Sequence, residues 1–198
     1  MAGECPYQSI VDDAKRGCLR EAAQEAAWFL SQVSTAEDAI MMASKSLFPI
    51  GRNGALVLHT HQRRNGYAAL NDAAFALGQL RSEIVKSKSF SELYDVVSAI
   101  KMLPRIGALA AYDISERIGW FLKLYPNEVY LHAGVREGAA AIGLSIRSQI
   151  LPKASFPKSF QQLSPSEIET ILCVYKANLA NSASFGLGES YRKSAKHC

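Results

Sequence analysis

Four cysteines in 198 residues (Cys5, Cys18, Cys173 and Cys198) are too scattered for a zinc ribbon or a disulfide framework, and no Cys-x-x-Cys pair occurs. They read as free thiols. No apolar run approaches the roughly 18 residues that a bilayer crossing needs, so no membrane partner is expected. The first 13 residues carry early acidic side chains where a secretory leader needs a basic and then an apolar stretch, which predicts a cytoplasmic protein. Seven prolines and 13 glycines are too few for a linker or a disordered chain. Excess charge is also scarce. Lys and Arg number 22 against 18 Asp and Glu, a formal +4 that permits a polyanionic partner without establishing one.

What is present is a globular composition, 48% hydrophobic and 20% charged, on a chain long enough for one sizeable core. The expectation is an all-α protein, a single helical domain over residues 1–198 with 181–198 as a loose tail. In residues 9–33 an apolar stripe near the helical period is interrupted at Gly17, giving one long helix or two. Ser34 and Glu37 have capping-box spacing and open a helix to about Leu47, before Pro49. Gly51-Arg52-Asn53-Gly54 is turn chemistry, and Ala55-Leu56-Val57-Leu58 reads either as a strand or as the start of a buried helix.

Leu70, Ala73, Ala74, Leu77, Leu80 and Ile84 predict one amphipathic helix from Tyr67 to about Lys86. Ser89 with Glu92 starts another, to about Met102. After a break at Leu103-Pro104-Arg105-Ile106-Gly107, a helix ends before Pro126, with Asp113, Glu116, Arg117 and Lys123 facing away from its apolar side. Val129-Tyr130-Leu131-His132 then leads as a short extended entry into an Ala/Gly-rich helix terminated by Gly143. Ser164-Pro165-Ser166-Glu167 is a third capping box, with proline at the first helical position of a last helix.

The most informative unit is the turn at residues 103–107. A Leu-Pro-x-Ile-Gly turn between helices directs backbone amides outward, where a phosphate can accept them without sequence being read. With the segment Val129-Tyr130-Leu131-His132 and the helix ending Ala141-Ile142-Gly143-Leu144, its order resembles the helix-hairpin-helix DNA glycosylase superfamily. In that family a Leu-Pro-Gly-Val/Ile-Gly hairpin grips DNA phosphates, and a Val-Asp-x-His segment opens a later helix. The resemblance spans residues 55–180, carried by the hairpin and by 129–144. It implies a DNA-glycosylase-like helical fold with phosphate contacts at Arg105, Ile106 and Gly107. It does not extend to the family's reaction, because Tyr130 stands where the catalytic Asp belongs and about Leu109 where bifunctional members have their lysine.

Around this unit the sequence offers Arg63 and Arg64, and Arg52 in the earlier turn, as further phosphate contacts, provided they share a face with Arg105, the alternative at residues 59–65 being a solvated polar turn. Tyr130, His132 and Arg136 are candidates for a pocket in which Tyr130 stacks on a base, the alternative being a core tyrosine with His132 as a helix cap. His59 and His61 would need His132 to make three metal ligands, and their neighbourhood in sequence lacks supporting carboxylates, so neither a metal nor a cofactor is expected. Asp113 and Arg117, four apart, read as an exposed ion pair.

Three function classes follow. The first is a nucleic-acid-binding protein holding a DNA or RNA backbone without base-excision chemistry. The second is a glycosylase or other hydrolase with relocated groups among Asp113, Glu116, Glu137 and His132. The third is a helical protein-interaction module, with a homo-oligomer as one form.

Overall fold

The computed structural model describes residues 7–45, 47–50, 55–59 and 62–181. These are mostly helical, as expected, with two small antiparallel strand pairs added. The helices are α1 (Gln8–Arg16), α2 (Cys18–Gln32), α3 (Ala36–Lys45), α4 (Gly66–Gln79), α5 (Arg81–Lys86), α6 (Phe90–Val97), α7 (Ala108–Leu122), α8 (Ala133–Ala141), α9 (Pro165–Val174) and α10 (Lys176–Ala180). Short 3-10 turns cover Ser98–Met102 and Lys153–Ser155. The described residues gather around two apolar cores. One unit takes the described residues within 24–126, and the other takes those from both sides of it, within 7–23 and 127–181.

In the central unit α3 packs on α4 and α7, and α6 packs on α7. Ala110, Ala111, Ile114 and Ile118 recur at helical spacing along α7 and are all buried, against Leu70, Ala73 and Leu77 of α4 and Ile40 of α3 in the same core. Strands β1 (Leu47–Ile50) and β2 (Ala55–Leu58) pair antiparallel, with Leu47 opposite Leu58 and Ile50 opposite Ala55. Ala55-Leu56-Val57-Leu58 is therefore a strand. Pro49 lies within β1, and α3 stops earlier, at Lys45.

Several local expectations shift by small amounts. The cap of α3 is Thr35 rather than Ser34. Its hydroxyl accepts from the Asp38 amide at 3.1 Å, and the Asp38 carboxylate accepts from the Thr35 amide at 2.9 Å. The hydrogen bond from the Thr35 hydroxyl, with those from the Thr35 and Ser34 amides, holds the Asp38 carboxyl below its usual range. The helix expected over 67–86 divides at Leu80 into α4 and α5. Ser89 caps α6 as expected, while Glu92 reaches back to the Lys88 amide at 2.8 Å.

In the terminal unit α8 packs on α9 and α10. Gly17 separates α1 from α2, and Ser164 with Glu167 forms the full capping box ahead of Pro165. Gly143, at φ +80°, ends α8 while the Leu144 amide returns to the Ala139 carbonyl at 3.0 Å. The extended entry at Val129 is β3 (Glu128–Tyr130). It pairs antiparallel with β4 (Ile150–Pro152), a strand the sequence analysis does not anticipate.

Cys18, one of the free thiols, is packed against the Ala14 turn. Burial, reinforced by Glu21, pushes its pKa from 9.0 up to about 12. The folded state thus favours the neutral thiol. This contribution to stability is complete below pH 9.0 and is lost as pH rises toward about 12, because the unfolded thiol ionises first. Urea denaturation across that window is expected to show a smaller alkaline loss of stability in Cys18→Ala than in the parent chain.

Candidate nucleic-acid interface

The hairpin at residues 103–107 is a tight exposed turn. Leu103 is extended at ψ 140°, Arg105 is left-handed at φ +69°, and the Ile106 amide closes the turn onto the Leu103 carbonyl at 3.2 Å. This combination after Pro104 has the shape of a type II turn, whose third position favours glycine because an L side chain crowds the backbone there. Ile106 plugs the turn into the core, where its side chain is buried. Its amide is therefore engaged, and it serves as an anchor. Gly107 precedes α7 in an extended conformation, with no side-chain cap on the helix and open space where a Cβ would stand. The first-turn amides of α7 have no intrahelical acceptors and carry the positive end of a 15-residue helix.

Arg105 is exposed, and its guanidinium donates to the main-chain carbonyl of Arg64. That bond joins the hairpin to the turn that opens α4, which carries Arg63 and Arg64, both exposed. Arg52, the fourth arginine expected here, lies outside the described residues, as do Thr60 and His61. Lys101 adds a further exposed cation, its ammonium 5.5 Å from the centre of the Tyr94 ring.

Beside this surface lies a buried polar network that sequence reasoning missed. Arg117 does not form an exposed pair with the Asp113 carboxylate; it is 6% exposed and faces inward. Its Nε and Nη2 donate to Glu25 Oε1 of α2 at 3.1 and 2.6 Å, and its Nη1 donates to the Asp113 carbonyl at 3.3 Å. Burial alone would lower the guanidinium's pKa. The charges of Glu25, Asp113 and Glu116 outweigh it, so Arg117 stays firmly protonated.

Glu25 Oε2 lies 3.6 Å from His59 Nε2, so the histidine has a carboxylate after all, supplied from α2. The Asp113 carboxylate accepts from Gln62 Nε2, whose own carbonyl accepts from Asn65. Gln62 and Asn65 are both buried, which fixes the turn carrying Arg63 and Arg64 against α7. The signal was legible in one respect. Arg117 falls on the stripe Ala110, Ile114, Arg117, so a charge sits at a core position and demands a partner.

Tyr130, His132 and Arg136 belong to the other unit. Tyr130 is buried in β3. His132 precedes α8 without capping it through its side chain; Nε2 pairs with Glu169 of α9, and both residues are buried. Arg136 donates to the carbonyls of Ile146 and Leu131, the latter at 3.3 Å, and so ties down the segment after α8. Glu137 is paired with Lys176 at 2.7 Å. Among the described residues no group of three or more His, Cys, Asp or Glu is placed to hold a metal ion, and no helix is long and apolar enough to cross a membrane. No family model, no curated protein and no solved structure matches this chain.

Proposed function

We propose that this chain binds the sugar-phosphate backbone of nucleic acid through the hairpin at residues 103–107, on a helix-hairpin-helix framework like that of the DNA glycosylases, without their base-excision chemistry. The observation that carries the reading is the exposed turn itself. It ends in an uncapped helix N-terminus at Gly107, and the Arg105 guanidinium spans from it to the turn of Arg63 and Arg64. Three guanidiniums beside outward first-turn amides form an anion-binding surface, since helix amides and arginines both favour phosphate oxygens. The left-handed backbone at Arg105 also fits the family's pattern, which places glycine at that position.

The chemistry is set aside on residue types. Tyr130 offers a phenol where the family uses a carboxylate, and about Leu109 is aliphatic where bifunctional members use an amine. Of the groups open to a relocated mechanism, His132 is hydrogen-bonded to Glu169 and Glu137 is paired with Lys176.

Two substitutions at one position test the reading. Arg105→Glu reverses a charge on the surface, and duplex binding followed by fluorescence anisotropy is expected to weaken by about tenfold. Arg105→Gly removes the charge while relieving the left-handed backbone, so stability should change by less than about 1 kcal/mol and binding should fall by a smaller factor. Binding that is undetectable in the parent chain, or unchanged in Arg105→Glu, would contradict the proposal.

A further inference from the structure

The cationic surface carries two large side chains that the core does not use. Met102, immediately before the hairpin, is 90% exposed, and Tyr67, in the first turn of α4 just after Arg63 and Arg64, is 60% exposed. The segment Ser98–Met102 packs against α4, and the bond from Arg105 to the Arg64 carbonyl closes the same junction. Met102 and Tyr67 therefore adjoin, in sequence, the two turns that this bond joins, and Lys101 is next to Met102.

We infer that this surface takes single-stranded nucleic acid in preference to intact duplex, with Tyr67 as a platform on which a base stacks and Met102 inserting between neighbouring bases. The inference rests on the backbone-binding reading above. Arginines and helix amides hold phosphates whether or not the bases are paired, so they cannot discriminate between the two forms. The exposed apolar side chains can. A duplex exposes base faces to Tyr67 and Met102 only where a step is unstacked, at a cost of about a few kcal/mol. A single strand exposes base faces that bury an aromatic ring, and apolar side chains such as methionine enter an unstacked step at little cost. A protein partner fits less well, because charged residues are depleted at the centres of protein interfaces, while the two turns that carry these apolar groups also carry the exposed cations Arg63, Arg64, Lys101 and Arg105.

The test compares a labelled mixed-sequence DNA strand of about 12 nucleotides with the same sequence as duplex, at one fixed low salt concentration. The parent chain should bind the strand more tightly than the duplex. Tyr67→Ala and Met102→Ala should each lose about fivefold or more in strand affinity, the lower end of what one stacked base contributes, and leave duplex affinity unchanged. Tyr67→Phe should retain strand binding because the ring remains.

Equal or tighter duplex binding would overturn the inference. So would strand affinity indifferent to both alanine variants yet sensitive to Arg105→Glu, an outcome that leaves the backbone reading standing. If Arg105→Glu alters binding of neither form, the backbone reading fails and this inference fails with it.

Discussion

Replacing Glu25 with leucine is expected to lower the free energy of unfolding by about 3–5 kcal/mol, the usual effect of stranding a buried charge. Arg117 is 6% exposed, and both of its side-chain bonds to a carboxylate go to the one oxygen of Glu25. Without that partner the guanidinium keeps its hydrogen bond to the Asp113 carbonyl, together with the charges of Asp113 and Glu116. It cannot escape by deprotonating, because those charges continue to favour its ionised form. The matching double replacement, Glu25→Leu with Arg117→Met, removes both ions and should recover most of the loss, since an apolar pair of similar volume avoids desolvating either charge. Urea denaturation of the parent, both single variants and the double variant closes the cycle. A loss under 1 kcal/mol in Glu25→Leu would show that Arg117 reaches solvent.

The second large effect is expected in the terminal unit, at the contact between α8 and α9. A Cβ built on Gly138 would run into the Leu172 main chain, overlapping its carbonyl oxygen and lying 2.8 Å from its C and Cα atoms. Backbone cannot turn aside as a side chain can, so Gly138→Ala must push the helices apart. The cost should reach about 3 kcal/mol, the upper part of the range for overpacking, and exceed the roughly 1 kcal/mol that alanine gains over glycine as a helix former. Gly134, one turn earlier, provides the control. Its Cβ would meet the Cys173 sulfur at 2.9 Å, the end of a side chain that can change rotamer, so Gly134→Ala should alter stability by no more than about 1 kcal/mol. Thermal or urea denaturation of the two variants reads the difference directly. Equal effects would mean that α8 leaves room for a methyl group between Gly138 and the Leu172 main chain.

Much of the local structure was legible because it is written in short-range chemistry. The Ser164-Pro165-Ser166-Glu167 box, the Gly143 stop and the break at Gly17 each need only neighbouring residues, and each stands where its residue types place it. Errors arose where two local solutions overlap. Ser34 with Glu37 and Thr35 with Asp38 have the same spacing, and pattern alone cannot choose between them. Likewise the apolar stripe from Leu70 to Ile84 continues through Leu80, although the helix itself breaks there. β4 is three residues long, contains Pro152 and is defined by a partner some twenty residues earlier, so no periodicity announces it.

Long-range pairing was harder still. The two cores are hidden from a linear reading because one of them is assembled from both ends of the chain. The charge of Arg117 points outward on a linear reading, while its partner, Glu25, lies 92 residues away in another helix. The hairpin, by contrast, is local. Its exposure and its neighbour Arg64 are features the residue types at 103–107 and 62–65 could suggest but not fix, because the bond from Arg105 to Arg64 crosses 41 residues.

If the hairpin surface neutralises nucleic-acid phosphates, as proposed, affinity must depend on salt. Binding of a labelled duplex, titrated over a range of monovalent salt, should weaken steadily with a log-log slope of about −2 to −3, one phosphate for each of Arg63, Arg64 and Arg105. Each arginine-to-alanine replacement should make that slope shallower by about one. A slope near zero, or one that all three replacements leave unchanged, would contradict the account.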